Sequence, residues 1–306
     1  TDPKIVKEFL VSENELIKVV FSTYHSSQVV AEGAQDYIFD FAIFDEAHKT
    51  TGIGETYFTY ALSDKNIQIK KRLFMTATPR HINIRKRDKD GDFTIQSMDD
   101  VEIYGPRAHL LSFRTATQKD IICDYKIIIS VIDKSMIDDY SRKMGFSIVD
   151  YNEVSTRWLA DIIALKQAIH KVSAKKIITF HSRVKAADEF ASNGPNGLTK
   201  HLDGYSVFHV NGSQKTSDRQ EIIRNFERSS HTVLTNARCL TEGIDVPAID
   251  MVAFIDPRSS RIDITQAIGR AMRKPRDNSA KKFGYILVPL FVDDVRENID
   301  DVIKSE

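Results

Sequence analysis

The 306-residue chain is 42% hydrophobic with only 13 glycines and 8 prolines, which indicates a globular protein of two domains and excludes a disordered one. Lys plus Arg (43) balance Asp plus Glu (43), so any nucleic acid would have to bind in a local groove rather than to an overall basic surface. The two cysteines, Cys123 and Cys239, argue against a disulfide framework or a cysteine-rich zinc site and fit a reducing cytoplasm. The sequence contains no apolar run long enough to span a bilayer and no signal-peptide pattern.

Three short apolar runs in the first part of the chain each end in hydroxyl or acidic residues. Strands separated by helical stretches are typical of βαβ units and parallel sheets. We therefore predict that the three strand ends meet at one edge of a sheet, where ligands bind in open α/β folds. Ordinary turn chemistry is the alternative for the two threonines. The runs are 18–21 before Ser22 and Thr23, 41–44 before Asp45 and Glu46, and 73–75 before Thr76 and Thr78.

Asp45 and Glu46 have the chemistry of a phosphoryl-transfer site. A carboxylate at a strand end can hold Mg²⁺, usually through water, while the ion bridges to substrate phosphates. A second carboxylate beside it can orient a water for in-line attack on a phosphoryl group. We assign the first role to Asp45 and the second to Glu46. The alternative is a solvated helix N-terminus, where acidic side chains offset the helix dipole.

The middle of the chain predicts a boundary between domains. Residues 85–92 (RKRDKDGD) indicate a solvated loop, with a phosphate-contacting loop as the alternative. Residues 98–125 combine Gly-Pro punctuation with short helical pieces and have the pattern of a connecting segment. We predict a first domain over residues 1–103, a linker over 104–125 and a second domain over 126–306.

A second α/β series follows the linker. Helices are predicted where Trp158, Ile162, Leu165 and Ile169 recur at helical spacing, over 184–190, after a capping-box signature at Ser217 and Gln220, and from about residue 261. Strands are predicted over 126–132, 177–180, 207–210, 233–235, 252–255 and 285–288.

The predicted helix over residues 262–274 has two different faces. Ile264, Ile268 and Ala271 recur at i, i+4 and i+7 and are predicted to face the sheet. Arginine is well shaped to grip phosphate and can stabilise charge that develops on a γ-phosphoryl group. A solvated basic face is the alternative. The second face carries an amide and two guanidinium groups, those of Gln266, Arg270 and Arg273.

Together these segments resemble the motifs of superfamily 2 helicases and translocases, and their order along the chain carries the resemblance. It covers nearly the whole chain and implies an α/β fold with two tandem RecA-like domains, mainly parallel sheets, and ATP in the cleft between the domains. The matching segments are DEAH at 45–48 (motif II), TAT at 76–78 (motif III), ITFHSR at 178–183 (motif IV), TEGID at 241–245 (motif V) and QAIGRAMR at 266–273 (motif VI).

The resemblance also implies a role for each matched residue. Asp45 would hold the Mg²⁺ of Mg-ATP, Glu46 would polarise the attacking water, and Arg270 and Arg273 would reach the γ-phosphate, with Arg273 as the arginine finger. His48 and Thr76, with Thr78 in the same motif, would couple the nucleotide site to the nucleic-acid track. The other nucleotide-side residues would be Gly243, Asp245 and Gln266. The nucleic-acid backbone would be lined by Ser22, Thr23, Ser182, Arg183, Asn211 and Thr241.

Finer features, among them TYHSS, FDEAHKTTG, FMTATPR and ICDYK, resemble the branch related to restriction enzymes, including Type III and single-chain Type I-like systems. That branch implies double-stranded DNA as a partner, with nuclease or methyltransferase domains elsewhere in the full-length chain. One family motif is absent, because none of the 13 glycines is followed by Lys-Ser or Lys-Thr, as the phosphate-binding loop requires. We therefore predict that the first domain is truncated at its N-terminus and that this chain alone hydrolyses ATP poorly or not at all.

Three functions remain open from the sequence. The leading interpretation is the motor fragment of an ATP-dependent DNA helicase or translocase, cytoplasmic and without membrane attachment. A DEAH-type RNA helicase would share the same fold and motifs. A degenerate, non-catalytic nucleic-acid-binding module would explain the missing phosphate-binding loop, although Glu46, Arg270 and Arg273 would then have no chemical purpose.

Overall fold

The structure is a computed structural model that describes residues 2–13, 17–53, 57–81, 95–145, 153–194, 197–237, 249–258, 260–275 and 281–292. The chain divides into two compact units, Thr1–Leu110 and Leu111–Glu306. In the described ranges, no helix is both long enough and apolar enough to cross a membrane. The loop predicted over residues 85–92 lies outside these ranges.

The first unit is built on a two-stranded parallel sheet. Strand β1 pairs with β3 in a register that places Ala42 beside Arg72 and Phe44 beside Phe74. A second, antiparallel pair joins β2 and β4. The elements are α1 (Pro3–Val11), α2 (Ser27–Ala34), β1 (Ala42–Phe44), β2 (Gly52–Ile53), β3 (Arg72–Phe74), β4 (Ile95–Gln96) and α3 (Val101–Tyr104).

One face of the β1–β3 sheet carries the core of the first unit. Phe44 and Phe74 stack on this face, where Phe44 belongs to a cluster with Val30 and Ile67. On the strands' other face Ile43 and Leu73 are exposed. The strand predicted over 18–21 is wrong: residues 17–23 form no strand, and Val19 and Phe21 of this apolar run are exposed instead of buried in a sheet.

The second unit contains a six-stranded parallel sheet in the order β5-β10-β9-β6-β8-β7. This confirms the predicted α/β fold with mainly parallel sheets. The strands are β5 (Asp124–Asp133), β6 (Lys176–Phe180), β7 (Ser206–Val210), β8 (Thr232–Asn236), β9 (Met251–Phe254) and β10 (Phe283–Val292). The helices are α4 (Phe113–Gln118), α5 (Lys134–Met144), α6 (Glu153–Val172), α7 (Val184–Ala191), α8 (Thr216–Arg228) and α9 (Arg261–Ala271).

Both faces of this sheet are covered, as expected for parallel strands that alternate with helices. One core cluster joins Leu165 and Ile169 of α6 to Ile177 and Leu287 of the sheet. The opposite cluster joins Phe226 of α8 and Ala267 of α9 to the sheet. All five residues of β8 are buried. The sheet is therefore a rigid platform whose strand ends can hold functional side chains.

Two predictions about helices in the second unit need correction. Helix α8 begins at Thr216 with Lys215 at its N-cap, so Ser217 lies within the first turn and the predicted capping box is wrong. In α9 the predicted Ala271 does face the core, but Ile264 and Ile268 are only half-buried. Ala267 takes the second core position, because a small residue lets the helix backbone approach the sheet closely.

Candidate functional site

The turn after β1 presents Asp45 and Glu46 at the carboxyl end of the strand, as the sequence predicts. Asp45 is exposed, and its Oδ1 accepts a hydrogen bond from the Glu46 amide at 2.9 Å. The Ala47 amide donates to the Met75 carbonyl at 2.9 Å, which fixes the turn to the segment after β3. The carboxylates therefore stand on a backbone that two strands hold in place.

Glu46 has a left-handed backbone conformation, with φ 49° and ψ 43°. Residues other than glycine rarely adopt this conformation because Cβ approaches the following carbonyl, at a cost of about 1–2 kcal/mol. The conformation directs the Glu46 carboxylate toward His48, with Oε2 3.4 Å from Nδ1. Backbone strain of this kind is common at functional sites, where the orientation of a side chain is required for its function.

His48 connects the residues after β1 to those after β3. Its ring is buried, and its Nδ1 lies 3.0 Å from the Thr76 hydroxyl oxygen. The same oxygen accepts a hydrogen bond from the Thr78 amide at 3.2 Å. The structure thus brings Glu46, His48, Thr76 and Thr78 together at one edge of the first unit, although they are up to 32 residues apart in the sequence.

Tyr24 is a member of this site that the sequence analysis missed. Its hydroxyl donates to the carbonyl of Asp45 at 2.7 Å. Burial, followed by the charge of the neighbouring Asp45, raises the pKa of Tyr24 well above its usual range, so the phenol remains a donor at all working pH values. Tyr24 directly follows Thr23, and it anchors the segment that carries both predicted hydroxyls to the end of β1.

Ser22 and Thr23 are exposed at the start of this segment. The Ser22 hydroxyl donates to the Thr23 carbonyl at 3.0 Å, and the Thr23 hydroxyl donates to that of Ser26 at 3.1 Å. Both hydroxyl groups are accessible, but in this conformation their protons are used within the turn. A contact with phosphate through these protons would require the hydroxyls to rotate.

In the second unit, the ends of β6 and β9 form another pair of neighbours. Asp256 follows β9, and its Oδ2 accepts hydrogen bonds from the amide and the hydroxyl of Ser182, at 2.6 and 2.9 Å. Arg183 is exposed at the N-cap of α7. Asp256 was missed by the sequence analysis, although the rule that selected Asp45, an acid directly after an apolar strand, would also have selected it.

Asn211, after β7, is held in place by a histidine of the same strand. The Thr235 hydroxyl donates to the Ala187 carbonyl at 2.9 Å, so it must accept the hydrogen bond from His209 Nδ1. His209 is therefore the neutral Nδ1–H tautomer, whose Nε2 accepts from the Asn211 amide group at 3.2 Å. Burial lowers the pKa of His209, which favours this neutral state.

The side-chain oxygen of Asn211 organises the turn after β7. It accepts hydrogen bonds from the Ser213 amide at 3.0 Å and the Gln214 amide at 3.2 Å. The backbone amide of Asn211 donates to the side-chain oxygen of Gln214 at 2.9 Å. In the structure, the hydrogen bonds of Asn211 stabilise this turn.

Helix α9 carries the predicted arginines in two different environments. Arg270 is buried, with 6% of its surface exposed, whereas Arg273 follows the helix and is exposed. The side-chain amide of Gln266 is buried and has no hydrogen-bond partner among the described residues. Burial of Arg270 excludes the alternative of a solvated basic face for this residue, and Arg270 and Arg273 do not share one exposed surface. Thr241, Gly243 and Asp245 lie outside the described residues.

Comparison with known proteins relates the chain to helicases. Residues 160–275 match the family described as the helicase conserved C-terminal domain. A probable helicase of African swine fever virus (isolate Pig/Kenya/KEN-50/1950) is 27% identical over 297 residues, which cover 95% of this chain and 30% of the viral protein. The chain is therefore similar to helicases, and its motifs agree with those of superfamily 2. It spans less than a third of the length of this relative.

Two solved structures share this fold. An ATP-dependent Type ISP restriction-modification enzyme, LlaBIII, bound to DNA matches with a TM-score of 0.75 and 28% identity, over 97% of this chain and 21% of the enzyme. Saccharomyces cerevisiae Dbp5 bound to RNA and ADP BeF3 matches with a TM-score of 0.52 and 17% identity, over 96% of this chain and 64% of Dbp5. The second likeness concerns the fold alone.

Proposed function

We propose that this chain is part of the motor of an ATP-dependent DNA translocase or helicase related to restriction-modification enzymes. The likeness to the DNA-bound Type ISP enzyme, higher in identity and TM-score than the likeness to RNA-bound Dbp5, supports DNA as the partner. Nuclease or methyltransferase domains elsewhere in the full-length protein, and a cytoplasmic location, belong to the same proposal.

The observation that carries this proposal is the joint arrangement of Asp45, Glu46, His48 and Thr76. Two carboxylates occupy the end of a parallel strand, and a buried histidine joins one of them to the threonine of the neighbouring strand end. A solvated acidic turn would not need a strained glutamate or a buried histidine beside it. The arrangement suits a site in which the position of Glu46 depends on the state of the Thr76 segment.

The residues present fit Mg²⁺ held together with a nucleotide. In the described part of the chain no group of three or more acidic, histidine or cysteine side chains surrounds a common point, so the protein alone offers no closed metal cage. Asp45 is an exposed carboxylate whose Oδ1 accepts a hydrogen bond from the adjacent amide of Glu46. One carboxylate with water and phosphate oxygens is a common Mg²⁺ environment. When bound, the ion would neutralise charge on the phosphates.

Glu46 would act as the general base, because its carboxylate is partly exposed and held toward the site by its backbone conformation. Arg270 and Arg273 would stabilise negative charge on the γ-phosphate. Gln266, with a buried and unpartnered amide among the described residues, would contribute hydrogen bonds to the nucleotide. Gly243 and Asp245 keep the nucleotide-side role that the family resemblance implies.

The nucleic-acid contacts would come from strand ends in both units. We assign Ser22, Thr23, Ser182, Arg183 and Asn211, together with Thr241, to the sugar-phosphate backbone, where hydroxyl and amide groups bind without reading sequence. Exposure of the first four side chains supports this assignment. We further propose that residues 1–306 do not hydrolyse ATP alone, because their sequence contains no Gly-Lys-Ser/Thr loop.

The test is ATP hydrolysis by the full-length protein, and by residues 1–306, with and without duplex DNA. We expect DNA-stimulated hydrolysis by the full-length protein only, and a loss of at least about 100-fold in kcat in Glu46→Gln. Glu32→Gln, which removes an exposed carboxylate on α2, is the matched control and should retain wild-type activity. Nucleotide binding should persist in Glu46→Gln, since this residue acts on water.

Each other outcome would identify an alternative. Stimulation by RNA but not by duplex DNA would replace the DNA motor with an RNA helicase. A folded full-length protein that binds nucleic acid but never hydrolyses ATP would point to a degenerate binding module. Rapid, DNA-stimulated hydrolysis by residues 1–306 would refute the requirement for a phosphate-binding loop outside them.

A further inference from the structure

The C-terminal end of α9 is held by groups from two other segments of the second unit. The last carbonyls of a helix have no partners within the helix and must bond elsewhere. Here the Met272 carbonyl accepts the amide of Cys123 at 2.9 Å, and the Ala271 carbonyl lies 3.8 Å from the Cys123 thiol. Cys123 directly precedes β5, so the edge strand of the sheet is tied to the helix end.

Lys281 makes a second connection to the end of α9, through three hydrogen bonds. Its ammonium group donates to the carbonyls of Ala271 and Ile249, and to that of Arg273 at 3.1 Å. A lysine has three donors, and all three are directed at backbone carbonyls. Positive charge is also favourable at a helix C-terminus. Lys281 therefore acts as a cap that joins α9 to the segment before β9.

Gly284 makes this approach possible. A Cβ atom at this position would lie 2.2 Å from the Ala271 carbonyl oxygen and 2.6 Å from its carbon, and both are backbone atoms that cannot move aside cheaply. The absence of a side chain lets β10 lie directly against the end of α9. We call these three residues, Lys281, Cys123 and Gly284, the α9 clamp. They lie in or just before the neighbouring strands β5 and β10, and together they fix the backbone at the end of α9.

We propose that Lys281 is a positioning residue for ATP hydrolysis, because it fixes the backbone that carries Arg270 and Arg273. The inference rests on the proposed function, in which these arginines act on the γ-phosphate. Arginine side chains are long, so the backbone position decides which orientations reach a given point. A displacement of about 1 Å at a charge-stabilising group can cost about 100-fold in rate. Lys281 would influence the rate without touching the nucleotide.

The first experiment tests the α9 clamp without any activity assay. Hydrogen exchange is measured on residues 1–306 for wild type, Lys281→Met, Lys281→Arg and Lys282→Met. The amides of Met272 and Arg273, which bond to the carbonyls of Ile268 and Arg270, should exchange faster in Lys281→Met and close to normally in Lys281→Arg. Lys282 is exposed and adjacent, so Lys282→Met is the matched control. Unchanged exchange in Lys281→Met would overturn the inference.

The second experiment measures kcat and KM for ATP in the full-length protein with DNA. In Lys281→Met we expect kcat to fall about tenfold or more and KM to stay within about twofold, because a misplaced γ-phosphate contact affects mainly the transition state. Rates are normalised to the stoichiometry of a bound fluorescent ADP analogue, so that an unfolded fraction does not imitate the effect. Lys281→Arg should recover most of the rate.

Gly284→Ala provides an independent perturbation, since it displaces the same helix end while the lysine remains. It should reproduce the separation of kcat from KM. Faster exchange with a normal kcat in Lys281→Met would show a purely structural cap and overturn the positioning role. If wild-type protein shows no DNA-stimulated hydrolysis, the proposed function fails, whereas the hydrogen-exchange result still decides whether the α9 clamp exists.

Discussion

Lowering the pH from 7 to 5 should destabilise the second unit through one buried histidine, His181. This residue follows β6, is 1% exposed, and contacts the Thr179 hydroxyl through Nε2 at 2.9 Å. Burial, opposed in part by the charge of Asp256, lowers the pKa of His181 from 6.5 to about 4. The folded protein therefore keeps this ring neutral at a pH where the unfolded chain protonates it.

The sign and size of the effect follow from proton linkage. Below pH 6.5 His181 binds a proton in the unfolded state but not in the folded state. The free energy of unfolding therefore decreases as the pH falls from 6.5 toward 4. Each pKa unit corresponds to about 1.4 kcal/mol, which gives a total of about 3 kcal/mol, of which about 2 kcal/mol is lost by pH 5. This is a large part of the stability of a typical domain.

The assay is urea unfolding of residues 1–306 followed by tryptophan fluorescence. Trp158 is the only tryptophan and packs near Phe190, which in turn contacts the His181 ring at 4.9 Å between centroids. The signal therefore reports on the second unit. His181→Gln keeps a polar group near Thr179 but cannot be protonated, and the exposed His170→Gln is the matched control.

We expect the free energy of unfolding of wild type and His170→Gln to fall together between pH 7 and 5, by about 2 kcal/mol more than that of His181→Gln. Titration of other groups, including His209, is common to all three proteins and cancels in the comparison. Parallel pH dependences of wild type and His181→Gln would refute the reasoning, because His181 would then titrate equally in both states.

Three substitutions test individual contacts. Glu46→Gly should be more stable than Glu46→Ala by about 1 kcal/mol in thermal unfolding followed by circular dichroism, because glycine accepts the left-handed backbone; equal stability would show that no strain is stored there. Thr50→Val should cost the first unit about 1–2 kcal/mol in the same measurement, since the Ala47 carbonyl loses its donor at 2.8 Å and the Tyr104 hydroxyl loses its partner at 2.8 Å, and an unchanged midpoint would contradict this. Asp256→Ala should cost the second unit about 1 kcal/mol and weaken DNA binding measured by fluorescence anisotropy, because Ser182 loses both hydrogen bonds; unchanged affinity would separate Ser182 from the DNA site.

The strand ends of both units could be predicted from the sequence because they are local features. An apolar run followed by acids or hydroxyls shows where a strand stops and what stands there, as at Asp45 and Thr76. The parallel architecture followed from strands alternating with helices, and the motif order then led to the helicase family. These inferences need no knowledge of which distant segments touch.

The partners of those strand ends were decided by tertiary structure. Tyr24 reaches the Asp45 carbonyl from 21 residues away, and Asp256 reaches Ser182 from 74 residues away. Arg270 is likewise buried by the packing of the second unit, which helical periodicity alone did not distinguish from a solvated basic face. A periodic pattern identifies residues that share a face of one element. Only packing determines what that face meets, because the contact depends on side-chain volumes and hydrogen-bond partners contributed by remote parts of the chain.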